Sequence, residues 1–370
     1  GVLAVSGLVW LWPTQGELAQ HIGPAQQNPG VTYEDGTISG VEQGCQTSVE
    51  SGSGATCETA TVLLLTGPEA GETAEIELLG PQAQAGLRSG DSVEVARIDT
   101  GADPIYSYSG TNRMPVLIVM TVLFVLCVLG VARWKGLFAL VGLGIAAFVL
   151  LRFMLPALIV GKPGMAVALT GSTAIMFVVL YVAHGISIRT STALAGTLLG
   201  LCATTGLGYV TAAAARLSGF SDEMEFDLAQ LVGGLNFREL LMVAIIIGGL
   251  GVLNDVTITQ SSSVWELRAA APEWTRRQVF AAGMRIGRDH IASTIYTIVF
   301  AYAGGALTVL LLLYFTDRQI LDLFGVEMFA TEAVRTLASA IGLVLAVPIT
   351  TGIAAMTIDP AREPESLVAG

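Results

Sequence analysis

The chain changes pattern near residue 113. Residues 31–109 alternate apolar and polar positions in short runs broken by Gly, Pro and Asp, whereas long apolar runs dominate from Met114 onward. The first part predicts strands: VTYEDGTISGV, TATVLLLTG, TAEIELLG and DSVEVARI each combine β-formers with turn residues at their ends. So small and polar a segment predicts a compact all-β barrel or OB-like sandwich. The second part predicts transmembrane helices, each needing about 20 apolar residues. The expected spans are Met114–Ala132, Gly136–Val160, Met165–Ala183, Thr192–Leu217, Leu240–Val264, Ile291–Phe315 and Val334–Met356, preceded by part of another, Gly1–Trp12. Gly1–Trp12 could also be a signal-peptide core, but no small-residue cleavage pattern follows it, which favours an anchor.

The expected fold is an α-helical polytopic membrane protein of about eight spans, the first one truncated, with a small extracytoplasmic β domain. The expected divisions are a partial first span over 1–12, a β-rich domain with linkers over 13–112, a seven-span domain over 113–358 and a cytoplasmic tail over 359–370. Residues 13–30 read as a linker. The stretch ILDLFGVEMF, residues 320–329, reads as an amphipathic segment on the outer surface.

Composition supports the membrane assignment. The chain is 53% hydrophobic and 13% charged, with a mean hydropathy of +0.68, against about 25% charged residues in soluble domains. The net charge of −12 excludes nucleic acid as a partner, because phosphate binding needs clustered Lys and Arg. Orientation follows from the basic loops. Arg133, Lys135, Arg189, Arg268, Arg276, Arg277, Arg285, Arg288 and Arg362 fall in alternate loops, which places those loops in the cytoplasm and the β domain outside. Of the four cysteines, Cys127 and Cys202 sit in apolar runs as packing residues. Cys45 and Cys57 are candidates for a disulfide if their segment faces an oxidising compartment. No His and Cys spacing resembles a zinc site, and no metal or cofactor is assigned.

The candidate chemistry is concentrated in the sixth expected span, which reads LGVLNDVTITQSSS over residues 250–263. A charge inside a bilayer costs roughly 2.5–3.5 kcal/mol on insertion scales, so Asp255 requires a partner cation, water or a bound ion. Asp255, Thr259 and Ser262 share one helical face, and Asn254, Thr257 and Ser261 share the next. These oxygen donors suit a hard cation or a proton relay; Thr, Ser and Asn also serve as interhelical glue. The seventh expected span opens with GMRIGRDHIASTIYT. There Asp289, Ser293 and Thr297 share a face, with His290 and Thr294 beside it. Arg285 and Arg288 are either topogenic charges at the membrane edge or partners of these acids. At least one acid is expected to pair with an arginine.

The order of these features is recognisable. HGISIRTSTALAGTLLGL, GGLGVLNDVTITQSSSVWEL, GMRIGRDHIASTIYTIVFAYAGG and a terminal AVPIT together resemble the YibE/F family of bacterial multispan membrane proteins. The resemblance covers nearly the whole chain. Asp255, Ser262, Glu266, Arg288, Asp289 and Thr297 match its patterns GxxxDVxxxxxSxxxEL and GRDxxxxxxxTxxxAY. It implies architecture more than activity.

Three functions follow as expectations. The first is a permease in a bacterial cell membrane for a small cation or other small polar solute, with Asp255, Asn254, Thr259, Ser262, Asp289, Arg288 and Thr297 as site residues. The second is a lipid-handling or envelope-assembly protein whose external domain docks a partner. The third, an intramembrane enzyme, is set aside: HExxH and GxSxG are absent from the sequence, and an aspartyl dyad would require Asp255 and Asp289 to meet. The bilayer is the expected partner, a small cation or lipid the candidate ligand, and a homo-oligomer the candidate assembly.

Overall fold

The computed structural model describes residues 2–21, 31–45, 57–99, 101, 103–221, 223–305, 307–315, 322 and 325–360. Linker residues 22–30, tail residues 361–370 and positions 320, 321, 323 and 324 of the expected amphipathic stretch lie outside the described residues. Two compact units emerge, one of residues 23–130 and one of residues 1–22 and 131–370.

The described residues of the first unit form five antiparallel strands: β1 Val31–Gln43, β2 Cys57–Leu64, β3 Thr73–Leu79, β4 Ser92–Ile98 and β5 Ile105–Thr111. Their order is β3-β2-β1-β4-β5. The edge strands β3 and β5 approach each other, so the sheet forms half a barrel. Alternation sends Ile38, Val62, Leu64, Ile76, Leu78, Val93 and Val95 into one buried cluster. Register follows from that cluster: Ile38 pairs with Val62, and Ala60 with Ile76. Four of the strands lie where the alternation predicts them. The fifth was not expected, because IYSYSGT lacks an aliphatic run; its inward positions are the tyrosines Tyr106 and Tyr108, packed on the cluster. Cys45 and Cys57 are bonded, with Cα atoms 5.7 Å apart, and clip the end of β1 to the start of β2. Arg97 on β4 donates from Nη2 and Nε to Glu69 at 2.8 and 2.9 Å, and Tyr106 donates to the same carboxylate at 3.1 Å. The Arg97 bonds come first among the causes that hold the Glu69 carboxyl below the usual range.

The helices are α1 Val2–Leu11, α2 Gln15–His21, α3 Met114–Val149, α4 Leu155–Ile159, α5 Gly164–His184, α6 Ile188–Ala214, α7 Glu223–Leu231, α8 Phe237–Ala270, α9 Arg276–Gly305, α10 Leu307–Tyr314 and α11 Glu327–Thr357. Five described helical stretches are long and apolar enough to cross a membrane: Met114–Ile159, α5, α6, α8 and α11. Met114–Ile159 holds both the second and the third expected spans. They join at Arg133, whose φ of +52° interrupts the helix where a basic loop was expected. A π-helical turn at Leu150–Met154 then precedes Pro156; a widened turn accommodates a residue with no N–H to donate. The described residues of the seventh expected span lie in α9 and α10, and the first half of α9 carries Arg276, Arg277, Arg285, Arg288 and Asp289.

Capping explains where the short elements begin. Thr14 Oγ1 accepts from Glu17 N while Glu17 Oε2 accepts from Thr14 N, a reciprocal capping box. Glu17 also pairs with Lys162 at 3.0 Å. The Thr14 amide and the Lys162 ammonium together hold the Glu17 carboxyl at about 2.

The centre of the helical unit is the junction of α6, α8 and α11. Its facing surfaces carry small or hydroxylated residues: Gly196, Gly200 and Thr204 on α6, Gly249 on α8, and Ser339, Gly342 and Thr350 on α11. A Cβ at Gly342 would overlap Thr204 Oγ1, and one at Gly196 would overlap Thr350 Oγ1. The backbones therefore sit as close as glycine permits, the usual solution where lipid supplies no hydrophobic drive between helices. Above this seam Leu201, Ile246, Leu253 and Ala346 join Phe153, Val167 and Leu180 in the largest apolar cluster.

Candidate functional site

Helix α8 starts at Asn236, whose side chain accepts from Glu239 N at 3.2 Å. It buries Gly249, Leu253, Val256, Thr257 and Gln260 along one face. Gly251 and Asp255 fall on the opposite, exposed face. Helix α9 starts at a second capping box, Thr275 with Gln278. It turns Gly283, Gly287, His290, Ile291 and Ile298 inward.

This rotation decides which groups meet. His290 Nε2 lies 3.6 Å from Asp255 Oδ2. The separation exceeds a hydrogen bond and constitutes an ion pair when the imidazole is protonated. Neither His290 Nε2 nor the buried Asn254 Oδ1 has a hydrogen-bond partner among the described residues. The Asp255 side chain is 68% exposed on the flank of the α8–α9 pair, and that of His290 is 25% exposed. The expectation that an arginine neutralises one of the two acids is corrected here. Asp255 meets a histidine, because residues 288 and 289 lie roughly 200° and 100° around the helix from residue 290 and are exposed on its outer side.

The other expected site residues separate into two groups. Arg288, Asp289 and Thr297 are exposed on α9, and Thr297 Oγ1 donates to Ser293 O at 3.2 Å. Ser262 is engaged elsewhere: it accepts from Arg189 Nε at 3.0 Å, while Ser261 donates to Arg189 O at 2.8 Å and Glu266 accepts from Arg189 Nη1 at 3.3 Å. Arg189 thus ties the start of α6 to the end of α8, and Ser262 serves that tie. Thr259 is half-buried, and its carbonyl accepts from Ser263 Oγ at 2.9 Å.

Two interior polar contacts were not expected. Gln260, 1% exposed, donates from Nε2 to Gly283 O at 2.7 Å. The carbonyl is reachable because Gly283 and Gly287 leave the facing surface of α9 bare; a Cβ on Gly287 would lie 2.6 Å from Val347 Cγ1 and 3.1 Å from the Gln260 amide. Thr197 Oγ1 and Thr257 Oγ1 are 2.6 Å apart, linking α6 to α8. The visible signal for Gln260 was its spacing from Leu253, Val256 and Val264 along the apolar face, with GMRIG in the partner helix.

A second polar region lies nearer the other end of α9. Ser221, Glu225, Tyr302, Thr331, Glu332 and Arg335 line a cavity of about 360 Å³. Arg335 pairs with Glu332 at 3.1 Å, while Arg335 Nε and Thr331 Oγ1 are buried without a hydrogen-bond partner among the described residues. Along α9 the order is Tyr302 at this cavity, Ile298 in an apolar cluster with Val256, Leu343 and Val347, and His290 at the Asp255 pair. Twelve residues of α-helix cover about 18 Å. Among the described residues no group of His, Cys, Asp and Glu is arranged to hold a metal ion.

The sequence profile described as YibE/F-like protein matches residues 120–360. No curated protein matches the chain, and no solved structure does.

Proposed function

Because the chain belongs to the YibE/F-like family, a group of membrane proteins, we propose that it is a multispan permease of a bacterial cell membrane. It passes a small cation or other small polar solute along the α8–α9 pair. The observation that carries the reading is the Asp255–His290 pair at 3.6 Å, an acid and a base that meet between α8 and α9. Ionisable residues within transmembrane segments mark ion pathways and proton relays. Asn254 Oδ1 and His290 Nε2, both without a hydrogen-bond partner among the described residues, supply an acceptor and a titratable nitrogen beside the carboxylate. The apolar cluster of Val256, Ile298, Leu343 and Val347 acts as the closed barrier between that pair and the cavity at Tyr302, Glu332 and Arg335. In this reading the ends bearing Arg133, Lys135, Arg189 and Arg268 face the cytoplasm, and the half-barrel lies outside.

The test is flux in proteoliposomes, using an internal pH dye and a panel of Na⁺, K⁺ and Mg²⁺ gradients. Asp255→Asn and His290→Gln should each lower the responsive flux at least about tenfold, the effect of losing ~1.4 kcal/mol of stabilisation. Flux equal to that of the unaltered chain in both variants would remove Asp255 and His290 from the pathway.

A further inference from the structure

A separate cavity lies at the opposite end of the bundle from Tyr302. Its volume is about 580 Å³, and its lining includes Lys135 of α3, His184 of α5, Arg189 of α6 and the apolar walls Ile258 and Trp265 of α8. Two cationic side chains and an imidazole, from three helices, share it, and no Asp or Glu is among its lining residues. Among the described residues Lys135 has no carboxylate partner. Arg189 commits Nε to Ser262 and Nη1 to Glu266, which leaves N–H groups of its five-donor fork for a ligand. Glu266, its only carboxylate partner among the described residues, is 73% exposed and weakly placed to compensate the charge. At the start of α6 Ser187 Oγ already accepts from Thr190 N, and the site is assigned on the Arg189 side chain, not on the helix terminus.

We propose that this cleft binds a phosphate-bearing anion, gripped by Lys135, His184 and Arg189 and flanked by Ile258 and Trp265. Guanidinium forks match phosphate oxygens in geometry. Basic pockets between transmembrane helices on the cytoplasmic side receive anionic headgroups, and the apolar walls suit the adjoining glycerol and acyl portion of a lipid. A free phosphate compound presents the same anionic group, so both sources enter the test. The assignment is independent of the Asp255 pair and stands whether or not the protein carries solutes.

The full chain in detergent is titrated with phosphatidylglycerol, with uncharged diacylglycerol and with inorganic phosphate, and binding is read by native mass spectrometry and by protection against thermal unfolding. Lys135 and His184 are exposed, so the double variant Lys135→Gln/His184→Gln retains the packing. Arg285→Gln, an exposed cation outside the cleft, is the control. Phosphatidylglycerol or phosphate should bind the unaltered chain and the control alike and bind the double variant at least about fivefold more weakly. Competition by inorganic phosphate assigns the site to soluble phosphates; retention of phosphatidylglycerol against it assigns a lipid headgroup. Equal binding by the double variant, equal binding of diacylglycerol, or no binding of either phosphate compound overturns the proposal.

Discussion

Adding one methyl group at Gly342 tests the packing argument most directly. Gly342 faces Thr204 across the α6–α11 contact. Its Cβ would overlap Thr204 Oγ1, come within 3.1 Å of Thr204 Cβ and lie 3.5 Å from the Gly200 carbonyl oxygen. Thr204 is fully buried, and the backbone of α6 stands behind it, so the side chain cannot simply swing away. Overpacking of this kind costs about 1–3 kcal/mol. Thr204 Oγ1 has no hydrogen-bond partner among the described residues, so Thr204→Ala removes the overlapping oxygen without breaking a hydrogen bond and leaves the tight Cβ contact. Gly342→Ala should therefore lower the thermal midpoint of the purified chain in detergent, followed by circular dichroism. Thr204→Ala alone should shift stability by less than about 1 kcal/mol. The double variant should recover at least half of the loss, giving a coupling of about 0.5–3 kcal/mol. A Gly342→Ala protein as stable as the parent, or two effects that simply add, would refute the close approach of α6 and α11.

The remaining predictions concern single contacts. Gln260→Leu breaks the buried bond to Gly283 O and should cost about 0.6–1.7 kcal/mol, the range for hydrogen bonds between membrane helices, read by the same melting assay. Cys45→Ser should release a free thiol at Cys57, detected as alkylation without prior reduction, and should lower the stability of the half-barrel by up to about 3 kcal/mol, as expected for a short closed loop. The Glu69–Arg97 contact should weaken in acid. Arg97 lowers the Glu69 pKa in the folded chain, so its contribution is present at neutral pH, persists above the ordinary carboxylate pKa and is lost as pH falls through the lowered value. Hydrogen exchange of β4 and β5 amides should accelerate there in the parent and depend less on pH in Glu69→Gln; identical pH profiles would exclude the contact as the cause.

Much of this architecture is legible in the sequence because lipid-facing and core-facing demands leave long uniform runs. The fourth expected span matches α5 within one residue at each end, and the break between the second and third falls at Arg133. Where amphipathic and charged residues share a helix the pattern fails: α9 begins well before the apolar run that was used to find it. The pairing of the candidate residues was less visible. Periodicity correctly set Asp289, Ser293 and Thr297 on one face, but not whether that face turns toward α8. Gly283 and Gly287 settle it, because only their side of α9 permits Gln260 to approach, and His290 follows them onto the inner side. Asp255 was recognisable as costly in an apolar run, whereas its partner depended on a rotation that no spacing within one helix records. Tyr106 and Tyr108 show the same limitation in β5, where aromatic rings replace the aliphatic residues that mark the other strands.

The opening stretch of α3, from Met114 to Leu126, is apolar at every position but Thr121. Acyl chains do not distinguish Leu from Ile or Phe, so a membrane segment of this kind needs only length and apolar character. Homologues should therefore drift freely there, keeping length and oiliness while sharing few letters. The seam at Gly196 and Gly342 should change almost nowhere, since a single carbon atom is already too many.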